Sequence, residues 1–441
     1  MGADLATRVR RAGVVGAGGA GFPTYVKLQS QVEIYIANAA ECEPLLEKDQ
    51  GLIRRHPELV VRGLELAMEA TGAQRGVIAI KAKYREAIEA LRGHLRGPME
   101  FYYFDNFYPA GDEYIIVYDV TGRLIPPGGL PLDVGCAVNN VETLINLARA
   151  AEDVPVTETA ITVTGAVREP LSAAVPLGIT AREALELAGG ATVDEPALLD
   201  GGAMMGRVVL DLDTPLTKTS GGFIVVPRDH PVVRRKTQPT EQKVTIAQSA
   251  CDQCMACTEM CPRFLLGYEI EPHKVMRSVG FAGDKALGWA QLGLQCCECG
   301  VCDLYACPED LPVRDMCIQS KGAWRATGQR PDPLPGRGEA HPMRDARRVP
   351  IPRLVERLDL TRWDVHAPWT DRTLSPAAVR LALKQHVGAP GAAVVAVGDR
   401  VRRGDVVAEP PQDALGVPVH ASIDGIVEQV TDTEIVLRAA R

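Results

Sequence analysis

The chain changes its hydrophobic rhythm several times, and each change marks a different kind of element. Val32-Glu33-Ile34-Tyr35-Ile36-Ala37 and Gly76-Val77-Ile78-Ala79-Ile80 are apolar runs of a length that suits buried strands. Glu58–Ala70 and Tyr84–Leu95 instead carry apolar residues at helical spacing. Strands alternating with helices predict an α/β domain built on a central sheet. From Thr157 the pattern shortens. A strand is predicted over Ala160–Gly165, a helix over Thr180–Ala188 and a further strand over Gly222–Val226. Thr180, with Glu183 three residues on, is a capping-box signature at that helix start. This stretch reads as a small α+β module.

A cysteine-rich segment among helix-like stretches follows. Gly328–Pro350 is rich in Pro and Arg, lacks periodicity, and reads as a linker crossing the surface. From Leu374 onward, Val394–Val397 and Asp405–Ala408 flank turns at Gly398-Asp399 and Gly404-Asp405, predicting a compact all-β sandwich or barrel. The expected divisions are 1–152, 153–238, 239–327, a linker at 328–372, and 373–441.

Composition narrows the classes. At 441 residues, 46% hydrophobic and 24% charged, the chain is an ordinary globular one, long enough for roughly three or four domains. Its net charge of −8 argues against a nucleic-acid partner, which needs a basic face. Arg234-Arg235-Lys236 reads as a solvated linker. No apolar run reaches the roughly 18 residues that span a bilayer. Ala12–Gly21 is too weakly hydrophobic for a signal-peptide core, and Ala6 spoils a myristoylation site. A cytoplasmic protein is expected, so the twelve cysteines are not disulfides.

Eight of the twelve form two spaced runs, Cys251-x2-Cys254-x2-Cys257-x3-Cys261-Pro262 and Cys296-x2-Cys299-x2-Cys302-x4-Cys307-Pro308. Three cysteines at every third residue wrap three iron corners of a cubane cluster, and the fourth ligand comes from farther away. Zinc sites use paired CxxC and have no need of the third cysteine or the trailing proline. Two 4Fe–4S clusters are therefore expected. By the two-cluster ferredoxin pattern, Cys251, Cys254, Cys257 and Cys307 hold one, and Cys296, Cys299, Cys302 and Cys261 the other. Cys297 reads as a neighbour. Cys42, Cys136 and Cys317 read as small buried hydrophobes.

Gly16-Ala-Gly-Gly-Ala-Gly21 matches a phosphate-cradling GxGxxG loop, although only the short Ala12–Val15 run precedes it. With Phe22-Pro-Thr24, Lys27, Asn38-Ala-Ala-Glu41-Cys-Glu43-Pro44 and Asn139-Asn140-Val-Glu-Thr143, it resembles the flavin subunit of respiratory NADH dehydrogenase. It is equally similar to the C subunit of Rnf electron-transport complexes. The resemblance implies FMN held by Gly16, Gly18 and Lys27 at its phosphate and ring. Asn38, Glu41, Asn139, Asn140 and Thr143 would hold the ribityl chain, phosphate or ring edge. Phe22, Glu43 and Glu113 would line the path of NADH, with Gly111-Asp112-Glu113 matching the family's Gly-Glu-Glu. Ala17 and Ala40 depart from the respiratory pattern, where Arg and Asp are common.

The domain order and the Cys296-Cys-Glu-Cys-Gly300 set look narrower still, similar to the PduS-type cobalamin reductase family of propanediol-utilisation microcompartments. That resemblance spans essentially the whole chain. It implies a multidomain α/β and α+β fold: a Rossmann-like FMN domain, a soluble-ligand-binding β-grasp (SLBB) module, a helical ferredoxin-like two-cluster domain and a C-terminal barrel-sandwich β domain. It further implies NAD(H) and a corrinoid, or a corrinoid enzyme such as an adenosyltransferase, as partners, and a place within a microcompartment shell. Residues 404–425 contain no Lys, so the barrel-sandwich is a structural or docking copy and not a swinging arm. His386 and His420 have no nearby ligand set. Glu41 and Glu43 suit positioning and electrostatics, since flavin performs the hydride chemistry itself. Two other readings stay open on the residues: an NADH-oxidising input subunit serving a quinone, ferredoxin or hydrogenase-like partner, and a redox scaffold without flavin.

Overall fold

The computed structural model describes residues 2–281, 291–329 and 336–440. Its first sheet is parallel throughout, in the order β3-β2-β1-β5. The strands are β1 (Ile34–Ala39), β2 (Arg75–Lys81), β3 (Met99–Phe104) and β5 (Cys136–Asn140), with β4 (Phe107–Tyr108) apart from them. β1 and β2 are buried almost end to end, which is why they read as unbroken apolar runs. The helix Pro57–Thr71 packs against the helix Val141–Ala150. They approach so closely that a Cβ on Gly63 would lie 2.0 Å from the Leu144 carbonyl oxygen. The chain leaves β1 for β2 on one side and reaches β5 on the other. That reversal leaves a crevice at the carboxyl ends of β1 and β5, where Asn38 and Asn140 are paired in register.

The second sheet runs β7-β6-β10-β8-β9, from β6 (Glu158–Gly165), β7 (Leu171–Pro176), β8 (Pro196–Asp200), β9 (Arg207–Val209) and β10 (Gly222–Pro227). β6 and β10 are parallel and the other pairs antiparallel. The helix Ala181–Leu187 carries the expected capping box: the Thr180 hydroxyl accepts from Glu183 N at 3.2 Å, and the Glu183 carboxylate from Thr180 N at 2.8 Å. Helices Thr240–Ala250, Pro272–Phe281 and Val313–Ala326 accompany the two cysteine loops. Two sheets, of four and three strands, make up the C-terminal domain.

Four expectations are corrected. Residues 330–335 of the expected linker lie outside the described residues, but the rest of it is built into the molecule. Val349–Pro350 pairs antiparallel with β4, the helix Ile351–Arg357 follows, and Trp369 bridges to Ser172. Arg344 stacks over Tyr118 and pairs with the buried Asp119 at 2.7 Å. Backbone bridges and arginine ion pairs leave no apolar period, so the segment reads as loop. Arg234-Arg235-Lys236 lies on the helix Pro231–Thr237, where Lys236 and Arg235 cap carbonyls of Met204 and Asp303. Ala12–Val15 forms no strand beyond an isolated bridge from Val15 to Pro23, so the glycine loop is not a strand-to-helix turn. Val394–Val397 is not a strand either; Val394 and Val397 are exposed, and apolar side chains alone do not make a buried edge.

Candidate functional site

The glycine loop closes on itself. Gly16 N donates to Phe22 O at 2.9 Å and Gly21 N to Gly16 O at 3.1 Å. The N–H groups of the exposed Gly18, Gly19 and Ala20 have no acceptor among the described residues, as in loops that cradle phosphates. Thr143 anchors the loop by accepting from Ala17 N at 2.9 Å. Lys48 anchors it from the other side, donating to Ala17 O at 3.3 Å and pairing with Glu142. Burial would lower the Lys48 ammonium, yet the Glu142 and Asp49 carboxylates outweigh it and hold the group above its ordinary value.

This loop forms one lip of a cavity at the β1/β5 crevice, which holds about 950 Å³ of unfilled space, its mouth included. Gly18, Asn38, Glu41, Glu43, Gly111, Asp112 and Asn140 line it. Asn38 is held by Gly111 O (3.0 Å) and Ala40 N (3.1 Å), and Asn140 donates to Asp49 at 2.7 Å. Burial, with Asp49 beside it, raises the Glu41 carboxyl to about 8. Burial also raises Glu43, although its carboxylate accepts from Met204 N and Met205 N at 3.0 and 2.7 Å.

The other residues named for flavin or NADH do not line the cavity. Gly16 and Thr143 support the loop from beneath, and Phe22 closes it. Lys27 donates to Val138 O at 2.7 Å, its ammonium lowered by burial against the pull of Glu113. Asn139 donates to the Tyr35 hydroxyl at 3.0 Å. Glu113 opens the helix Glu113–Thr121.

Sequence reasoning missed other residues of the wall: Cys42, Lys48, Asp49, Tyr108, Met205, Thr219 and Cys299. Cys42, expected to be a mere buried hydrophobe, accepts from Gly111 N at 3.4 Å, and burial pushes its thiol up to about 12. Lys48 and Asp49 could have been found from two charged residues entering a helix that is otherwise packed on the core. Cys299 could not, because it arrives from another domain. The Tyr108 hydroxyl donates to Cys299 O at 2.7 Å and ties the cavity wall to the second cysteine loop.

The two cysteine loops share an unusual backbone. Gln253 and Met255 in the first, and Glu298 and Gly300 in the second, all have left-handed φ, between 61° and 76°. Three of the four are not glycine, a strain on the order of 1 kcal/mol each. Backbone N–H groups reach sulfur: Glu298 N, in the second turn, donates to Cys296 Sγ at 3.3 Å, and Leu311 N, after the second run, to Cys307 Sγ at 3.4 Å. Thiols of the two runs lie near one another. Cys307 is the foremost electrostatic neighbour of Cys257, ahead of Cys251 and Cys254. Cys296 and Cys261 are neighbours of Cys302, as Cys302 and Cys261 are of Cys299. Backbone N–H donors around thiols suit iron–sulfur ligation, but no group of three or more thiols among the described residues is drawn together as a metal site. Cys297 sits beside Cys299 and Cys261. Cys317 is not isolated as expected: its thiol lies beside that of Cys296. No helix among the described residues is long and apolar enough to cross a membrane.

Comparison with known proteins fits this geometry. Residues 9–149 match the Nuo51 FMN-binding domain, 160–208 the SLBB domain, 250–312 the 4Fe–4S dicluster domain and 369–440 the RnfC barrel sandwich hybrid domain. Among solved structures, the fold is similar to that of an NAD+-reducing NiFe hydrogenase in its H2-reduced state. The two superpose with a TM-score of 0.51 at 21% identity, covering 76% of this chain and 64% of that one. The C subunit of a proton-translocating ferredoxin:NAD(+) oxidoreductase complex from Clostridium ljungdahlii is 33% identical over 58% of this chain and 55% of its own. Cobalamin reductase PduS of Citrobacter freundii is 44% identical, over 97% of this chain and 95% of its own. Cobalamin reductase PduS of Salmonella typhimurium is 46% identical over 434 residues, 98% of this chain and 96% of its own. With its four domains in place and its full length aligned, this chain belongs to the PduS family of cobalamin reductases.

Proposed function

We propose that the chain is an oxidoreductase that draws on NADH and delivers single electrons to cobalamin through FMN and two 4Fe–4S clusters. The observation that carries this is Cys299, a residue of the second cysteine run set in the wall of the flavin-type cavity. When bound, FMN accepts a hydride as an electron pair and releases single electrons, and the clusters relay them. The residues divide the remaining work. Unpaired N–H groups of Gly18, Gly19 and Ala20 hold the phosphate, with Lys48 propping the loop. Asn38 and Asn140 orient the cofactor at the ends of β1 and β5. Glu41, protonated below a pH of about 8, keeps a proton at the wall.

Cys296, Cys299, Cys302 and Cys261 form the entry set, next to the cavity. Cys257 is an electrostatic neighbour of Cys302, so the set of Cys251, Cys254, Cys257 and Cys307 follows. Cys254 is exposed beside Met255, itself 40% exposed, and marks the exit. The strand orders support finer fold readings: 3-2-1 with a fourth strand beyond β1 for a Rossmann-like first domain, and β6 parallel to the central β10 for a β-grasp second domain. Corrinoid-enzyme partners, a cytoplasmic setting and enclosure within a microcompartment belong to the same reading.

Anaerobic mixing of the protein with NADH and cob(III)alamin or cob(II)alamin tests it. Corrin reduction is expected. Intact flavin and clusters with no corrin reduction, and fast reduction by NADH, turn the assignment to an input subunit for another acceptor.

A further inference from the structure

Two domains that contribute no expected cofactor ligand meet at the glycine loop. Lys218, on the segment leading to β10, is 3% exposed. Its ammonium donates to Gly13 O in the first domain and to Pro418 O in the C-terminal domain, both at 2.8 Å. Its backbone N–H donates to the Gln385 side chain at 3.1 Å, and Val387 N donates to Gly21 O at 2.9 Å. The loop is thus gripped at Gly13, three residues before it begins, and at Gly21, where it ends. At Gly21 a Cβ would lie 2.9 Å from Thr219 Cγ2 and 3.2 Å from His386 Cα, so the grip is tight. Thr219, next to Lys218, lines the flavin-type cavity.

Burial without a paired carboxylate pulls the Lys218 ammonium down to about 7. A lysine held at that cost by two carbonyls from two domains is poorly explained as packing, since an apolar residue would fill the space without the penalty. Each carbonyl lies beside a segment that matters: one is in the run leading into the phosphate loop, the other precedes the strand Val419–His420.

We infer that Lys218 is a positioning residue, and that the C-terminal barrel-sandwich acts through it and through Gln385-His386-Val387 as a clamp that holds the glycine loop in its phosphate-binding shape. This rests on the proposed flavin at the cavity. It assigns the C-terminal domain a task at the flavin that does not require a modifiable lysine or a docked partner.

The test uses full-length protein with its clusters in place. FMN is stripped and titrated back into wild type, Lys218→Met and Gln385→Leu, and amide hydrogen exchange of residues 12–24 is followed with and without FMN. The clamp predicts roughly tenfold weaker FMN binding in Lys218→Met. It also predicts roughly tenfold faster exchange across the loop in the FMN-free protein. The visible circular dichroism of the rebound flavin should change while cluster absorption stays as in wild type. Gln385→Leu leaves the ammonium in place and carries the same readouts should Lys218→Met not fold. Variants matching wild type in affinity and loop exchange overturn the clamp alone. Faster loop exchange with wild-type FMN affinity also overturns it, leaving a purely structural contact. Wild type that takes up no FMN overturns the flavin reading, and the clamp with it.

Discussion

Glu41 shows how burial turns an ordinary carboxyl into a pH-dependent element of the cavity. Its folded value of about 8 lies above the ordinary 4.5. Between those values the folded protein holds a proton that the unfolded chain has lost, so this group makes stability fall as pH rises through that window. Glu41→Gln cannot titrate. Its melting temperature should therefore fall less than that of wild type between about pH 5.5 and pH 8.5, as scanning calorimetry at matched ionic strength would show; parallel curves would refute the raised value. The crossed assignment of the thiols makes a second residue-level claim. Cys307→Ser should remove the exit cluster and Cys261→Ser the entry cluster, each leaving about four of eight irons per chain. Only Cys261→Ser should abolish magnetic broadening of a reduced flavin by a neighbouring cluster in electron paramagnetic resonance. The reverse result would uncross the assignment.

Among the elements, the two helices that flank the first sheet owe their separation to a single missing side chain. Gly63 lets Pro57–Thr71 lie against the Leu144 carbonyl, and a Cβ there would be 2.0 Å from that oxygen. The obstacle is backbone and cannot rotate away. Gly63→Ala should cost about 2–3 kcal/mol, despite the better helix propensity of alanine. A urea midpoint unchanged from wild type would mean that the helices are not packed as described. The helix Ala181–Leu187 is the contrasting case: its start is set by Thr180 and Glu183, neighbours in the chain, and is legible from those two residues alone.

The assembly of domains depends on a few buried polar contacts between them. Arg263, following the first cysteine run, pairs with Asp112 at 2.9 Å, both mostly buried, and its guanidinium lies 3.4 Å from the Tyr114 ring centroid. Asp112 also caps the helix Glu113–Thr121 by accepting from Tyr114 N and Ile115 N. Asp112→Ala strands a buried guanidinium and removes the cap, a loss of about 3–5 kcal/mol. Chemical unfolding should show the cluster domain separating from the flavin domain first, with flavin-to-cluster electron transfer slowed in stopped-flow traces. A single unfolding transition at the wild-type midpoint would argue that the contact does not join them.

What could be read from the residues in order was whatever neighbours in the chain decide. The cysteine spacing, the buried runs of β1 and β2 and the capping box are such features, because a loop around a cluster, a strand and a helix start are built from residues a few positions apart. The glycine loop was recognisable, but not its form, since the β-pairing of Ala12–Val15 is limited to an isolated bridge from Val15 to Pro23. The Arg- and Pro-rich stretch after Gly328 looked like a tether because its bonds run to residues far away, as Arg344 does to Asp119. Folding alone brought Cys299 into the cavity wall, placed Cys317 against Cys296, and joined Gly13 to Pro418 through Lys218. Those contacts join residues from one end of the chain to the other, and no periodicity along the backbone records a meeting made in space.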